Sequence, residues 1–194
     1  MTACPGAATG LRFAVWAEGK GTVASLKIEI EQQIPFGSAE EEALLNLVRT
    51  SDCVTRTLQR KIRPWGITAT QYNVLRILRG AQPAGLTCSE IGRRMVTAEP
   101  DITRLLGRLK ALKLIRQQQD RQDHRMVRTQ ISEAGLKLLA EMDPVMARAP
   151  QEVLGHMSPA DLEILIRLLE RARQQCGDAS NNVGNRKNQA GGPG

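Results

Sequence analysis

Five residues between positions 97 and 108 of this 194-residue chain have side chains suited to reading nucleic acid: Thr97, Asp101, Thr103, Arg104 and Arg108. If this segment is helical, Ile102, Leu105, Leu106, Leu109 and Leu112 share one face, and Asp101, Arg104 and Arg108 project from the opposite one. An arginine so placed can donate two parallel bonds to guanine O6 and N7, and a threonine can contact phosphate or a thymine edge. An amphipathic helix with solvated arginines has the same pattern, so its flanks must decide between the two.

On the C-terminal side stands "LIRQQQDRQDHRMVRTQIS", residues 114–132, two short β-prone runs around a charged tip. A hairpin directly after a groove-reading helix puts its tip over the flanking backbone or minor groove. Arg121 and Arg125 are the candidate contacts there. Asp123, two residues before Arg125, would orient that guanidinium, because a carboxylate cannot favour a polyanion directly. His124 reads as a solvated histidine.

The elements that must hold these residues are marked by capping signals. Ser38-Ala-Glu-Glu41, Thr68-Ala-Thr-Gln71 and Thr87-Cys-Ser-Glu90 fit the capping box, and Ser132 and Ser158-Pro159 add two more helix starts. A first helix is expected from Ser38 to about Arg63, stopped by Pro64 and Gly66, with Leu44, Val48, Leu58 and Ile62 on its apolar stripe. Further helices are expected over about 69–79, from Thr87 to near Val96, and from about Glu99 to Leu112. The period then changes from 3.6 to 2 at Val127, Thr129 and Ile131. A fifth helix begins at Glu133, with Pro144 and Pro150 expected to kink or divide it, and a sixth runs from Pro159 to about Gln175. The fold class is therefore mainly α with a small β-hairpin wing: a winged helix-turn-helix flanked by N- and C-terminal helices. Residues 1–37 read as an arm or tail, although "TVASLKIEI" alternates like one strand. Residues 38–176 form the domain, with 67–132 as its DNA-binding module and 38–64 and 133–176 as dimerisation helices. The Gly/Asn-rich 177–194 reads as a disordered tail.

Bulk composition agrees. Aromatics are 3% of the chain, so the core must be aliphatic, which favours packed helices. The net charge is +7, and residues 85–128 hold ten basic against five acidic residues, concentrating positive charge on the candidate reading surface. Four scattered cysteines and two histidines give no zinc spacing, and no cofactor is implied. No nucleophile or Gly-rich phosphate loop suggests an enzyme. No apolar run is long enough to span a membrane, and a reducing cytoplasm is the default location.

In order and spacing, "GITATQYNVLRIL" (66–78), "GLTCSEIGRRM" (85–95), "PDITRLLGRLKALKLI" (100–115) and "DRQDHRMVRTQISEAGLKLL" (120–139) resemble the MarR family of bacterial transcription regulators. The resemblance spans roughly residues 40–175. It implies a homodimer whose terminal helices interlock, two winged modules on a pseudo-palindromic duplex, and a ligand-responsive repressor. The family's recognition-helix Thr-Arg falls on Thr103 and Arg104, and its wing Asp-x-Arg on Asp123 and Arg125. For some members it also implies a small aromatic or phenolic effector, for which Arg63 and Trp65 are the candidate contacts here. Lys113 stands where the family has glycine after the recognition helix, and Gly107 where it often has a charge. Cys53 and Cys88 are expected to be buried, inert thiols. A protein-binding winged-helix module and a nonspecific architectural DNA binder stay open as alternatives.

Overall fold

A computed structural model describes residues 25–120 and 125–176. The elements run α1 (Leu26–Glu29), α2 (Ala39–Ile62), a 3-10 turn (Arg63–Trp65), α3 (Ala69–Gly80), α4 (Cys88–Arg94), α5 (Ile102–Ala111), β1 (Ile115–Gln119), β2 (Val127–Ile131), α6 (Glu133–Leu154) and α7 (Pro159–Gln174). The chain divides into two units, 1–50 and 51–194, with the division falling inside α2.

In the first unit, the alternation that could have been a strand is instead the one-turn helix α1, with Leu26 buried. An isolated strand leaves its backbone groups without partners, whereas a helical turn satisfies them locally. Arg49 of α2 pairs with Glu29 at 3.5 Å. The start of α2 is a variant of the expected box. Glu41 N–H donates to Ser38 Oγ (3.2 Å), while the Glu41 carboxylate accepts from Gly37 N–H (2.7 Å), one residue earlier than the pattern predicts. Leu44 and Val48, on the expected stripe, are about 60% exposed. The expectations for residues 1–24 and for the tail 177–194 lie outside the described residues.

The second unit is built on one aliphatic core: Ile62, Val74, Leu75, Leu78, Ile91, Leu106, Leu109, Ile131, Leu139 and Met142 meet in a single cluster. Sequence places each element there. Gly66 at φ +71° ends the 3-10 turn, and Thr68, Thr87, Ser132 and Ser158 cap α3, α4, α6 and α7 through their side-chain oxygens. The boxes at Thr68–Gln71 and Thr87–Glu90 are complete, each satisfying two orphan donors. Helix α6 runs unbroken from Glu133 to Leu154, so the expected division at Pro144 and Pro150 does not occur. Both prolines are exposed, while Leu139, Met142 and Ala149 are buried and hold the turns on either side of Pro144 in register.

The exit from α5 is a Schellman turn. Leu114 N–H bonds to Leu109 O (3.0 Å) and Lys113 N–H to Lys110 O (2.9 Å), with Leu114 packed back into the core beside Leu109. Lys113 stands at φ +59°, the left-handed conformation the turn demands and in which a side chain is strained. Lys113→Gly is expected to raise unfolding stability by about 1 kcal/mol, net of glycine's greater entropy in the unfolded chain. A shift of the denaturant midpoint at constant slope reads this directly, and a lower midpoint would mean that the lysine side chain contributes more than the strain removes.

Candidate nucleic-acid interface

Helices α4 and α5, joined by residues 95–101, form a helix-turn-helix. The turn is pinned from α3, where Asn73 Oδ1 accepts the Val96 N–H at 3.1 Å, a contact with no signature in the sequence. The second helix starts later than expected, at Ile102 rather than near Glu99. Pro100 has no N–H to give, and Asp101 is the cap: its Oδ1 accepts the Arg104 N–H at 2.9 Å. Its second oxygen lies 3.4 Å from Arg104 Nε, so one carboxylate ends the turn and aligns the arginine. That is the role expected of Asp123 toward Arg125, found here at the start of α5.

Behind this face Leu105, Leu106 and Leu109 are buried, and Ile102 is half-buried. Leu112, expected on the same stripe, is half exposed because the helix has already ended at Ala111. Thr97, Asp101, Thr103, Arg104 and Arg108 are all exposed, and Gly107 lies among them with open space around it. The side chain of Arg104 is 69% exposed. The structure thus leaves all five residues singled out in this segment open to solvent.

The wing pairs β1 with β2 antiparallel, Ile115 opposite Ile131 and Gln119 opposite Val127. Thr129 and Ile131 point inward as the alternation required, but Val127 is 46% exposed, since the core ends before the hairpin does. Leu86, just before α4, adds a third strand position: it exchanges backbone bonds with Thr129 at 2.9 and 2.7 Å. At the hairpin's far end Asp120 N–H bonds to Met126 O at 2.8 Å. Arg121, Asp123 and His124 lie outside the described residues, and Arg125, at their edge, is exposed. Sequence reasoning missed the ion pair at this level, Arg128 Nε to the Asp120 carboxylate, in which the Asp120 side chain is only 13% exposed. The pairing register reveals it, because residue 128 is the diagonal neighbour of 120 once 119 faces 127.

Electrostatics tie this pair to α4. The Glu90 carboxylate is held below the ordinary glutamate range, first by the Thr87 backbone N–H, then by the Thr87 hydroxyl, with smaller help from Arg128 and Arg94. Arg128 is held more firmly protonated than usual, chiefly by its bond to Asp120 and also by Glu90.

The remaining candidates separate. Arg63 lines a cavity of about 520 Å³ with Cys53, Arg56, Gln59 and Arg60, all on the second half of α2 or just beyond it. Trp65 is half-buried against the core and is not among those lining residues, so the structure does not bring Arg63 and Trp65 to one cavity wall. Cys53 and Cys88 are exposed, against the expectation of burial. Cys53 is nine residues, two and a half helical turns, from the buried Ile62 and so faces the opposite way. Cys88 opens α4 at its solvent side. Among the described residues no group of three or more His, Cys, Asp or Glu could hold a metal, and no helix is long and apolar enough to cross a membrane.

A short helix, a pinned turn, a cationic second helix and a paired hairpin define a winged helix-turn-helix module. The MarR-family model matches residues 65–126, the span from the end of the 3-10 turn to the residue before β2. The chain is 35% identical to a MarR transcription factor from Planctomyces limnophilus, over 70% of this chain and 98% of that one, with a TM-score of 0.54. BpsR of Bordetella bronchiseptica, whose DNA binding is regulated by 6-hydroxynicotinic acid, is 25% identical over 72% of this chain and 97% of its own, with a TM-score of 0.62. The HTH-type transcriptional regulator MhqR of Bacillus subtilis is 26% identical over 127 residues, 64% of this chain and 85% of MhqR. The chain belongs to the MarR family of DNA-binding transcription regulators.

Proposed function

We propose that this regulator is a homodimeric, ligand-responsive repressor that reads a pseudo-palindromic duplex with α5 and steadies itself with the wing. The observation that carries the DNA-reading part is the face of α5, where exposed Arg104 and Arg108 stand on fully or nearly buried leucines beside a paired hairpin. In this reading Arg104 and Arg108 take base edges or phosphates, Thr97 and Thr103 contact the backbone, and Asp101 fixes Arg104. Arg121 and Arg125 reach the flanking DNA, with Asp123 aligning Arg125. Residues 67–132 form the DNA-binding module, and 38–64 with 133–176 are the dimerisation helices, a role supported by the exposure of Ile164, Ile166 and Leu168 on α7. A chromosomal target implies work in the cytoplasm. An effector is supported by the behaviour of BpsR, and a small aromatic or phenolic ligand is the class proposed, held in the cavity that Arg63 lines, with Trp65 left to core packing.

A duplex selected from a random library, then titrated with salt beside a scrambled control, tests the reading. Arg104→Ala is expected to weaken binding by about 1–3 kcal/mol and to relax preference at one position of each half-site. An equal loss on every sequence would make Arg104 a phosphate contact. Arg125→Ala is expected to weaken all duplexes alike and to reduce the slope of log affinity against log salt by about 0.9. Unchanged affinity would take the wing tip out of the interface. Wild-type protein that binds selected and scrambled duplexes equally would favour an architectural binder, and one that binds neither a protein-interaction module.

A further inference from the structure

We propose that Arg128 is a positioning residue: anchored to Asp120 beside the end of β1, next to the point where β2 bonds to the segment leading into α4, it sets the wing against the helix-turn-helix and does not itself contact phosphate. The proposal rests on the DNA-binding function proposed for the module, and its test separates the two.

Three observations support it. Arg128 Nε bonds to the Asp120 carboxylate, whose side chain is 13% exposed, so this acid is largely withdrawn from water on an element otherwise meant for a polyanion. A carboxylate in that position repels DNA unless its work is internal. Second, the adjoining residue Thr129 is the one that exchanges two backbone bonds with Leu86, so Arg128 sits where β2 meets the segment leading into α4. Third, Glu90 is fixed by the Thr87 cap, through bonds of 2.8 Å from Thr87 N–H and 2.9 Å from its hydroxyl, and lies within the electrostatic reach of Arg128. Arg128 therefore stands between one acid of the wing and one acid of α4. Its charge is directed into the protein by the Asp120 bond, and its side chain is 36% exposed against 69% for Arg104 on α5.

The opposite signs that positioning and bare charge predict for Asp120→Asn make this testable on the full-length protein with the selected duplex. Asp120→Asn removes a negative charge from a DNA-binding element. If charge alone mattered, binding would tighten on every sequence. As a loss of positioning, it should weaken binding roughly threefold to tenfold, and Arg128→Ala should do the same. Neither should lower the salt slope, whereas Arg125→Ala lowers it by about one phosphate's worth. Amide hydrogen exchange supplies a readout that needs no DNA. In Arg128→Ala the hairpin amides of residues 127–131 should exchange faster while those of α3 keep wild-type protection. Tighter binding by Asp120→Asn, a slope reduced by about 0.9 in Arg128→Ala, or unchanged hairpin exchange would each overturn the proposal. Wild-type protein with no duplex preference would instead overturn the DNA-binding function, and the exchange result would still decide the role of Arg128 in holding the wing.

Discussion

Leu109→Ala is expected to lower unfolding stability by roughly 2–5 kcal/mol, the cost of removing a large aliphatic group from a site that cannot collapse around the space. Leu109 is fully buried in the core cluster and also contributes the carbonyl that closes the Schellman turn behind α5. It therefore supports α5 both by packing and through the exit of its backbone. A domain of this size has about 5–15 kcal/mol in all, so the variant is expected to unfold partly at physiological temperature and to bind DNA weakly through loss of fold. Denaturant unfolding should show a lower midpoint with an unchanged slope. A loss under about 1 kcal/mol would mean that the helix backs onto space its neighbours readily fill.

Gly135→Ala should be the second large effect, at the upper end of the roughly 1–3 kcal/mol typical of overpacking. A Cβ at position 135 would lie 2.3 Å from Leu114 O and 2.7 Å from Ile131 Cγ1. The first of these is backbone, and it already accepts the Ser132 N–H at 3.0 Å. Ser132 Oγ in turn donates to Lys113 O at 2.7 Å and accepts from Gly135 N–H at 3.0 Å. The end of α5, the root of the wing and the first turn of α6 are thus bonded through three successive groups, and the methyl must push one of them away. Thermal unfolding measures the cost. The same variant should lose DNA affinity beyond what its unfolded fraction explains, because the wing root moves with Leu114. Wild-type stability would show that α6 can retreat freely.

The fold was readable wherever a local device coincided with a change of period. Thr68, Thr87, Ser132 and Ser158 announce helices because their side chains do the capping themselves, and Val127–Ile131 announces a strand because one face is buried. Reading failed where tertiary packing outweighed a local rule. Pro144 and Pro150 each remove a helical bond, yet buried neighbours carry α6 past both. Cys53 follows its place on the helix rather than the average habit of cysteine. Of the candidate interface, the cationic side of α5 was legible from spacing alone, and so was the basic character of the wing. The Asn73 contact to Val96 and the Arg128–Asp120 pair were not, because each joins residues whose proximity exists only once elements dock or strands take their register.

Helix α7 has no buried residue, and Ile164, Ile166 and Leu168 stand exposed along it in a single chain. Its sixteen residues are close to the length at which an isolated helix is marginal in water. In the proposed dimer a second copy covers this face, so dilution should act unevenly: the winged module stands on its own core, whereas the last helix loses its cover. At scarce cellular copy number, the fraction of chains with α7 fully formed becomes a gauge of how many have met a counterpart.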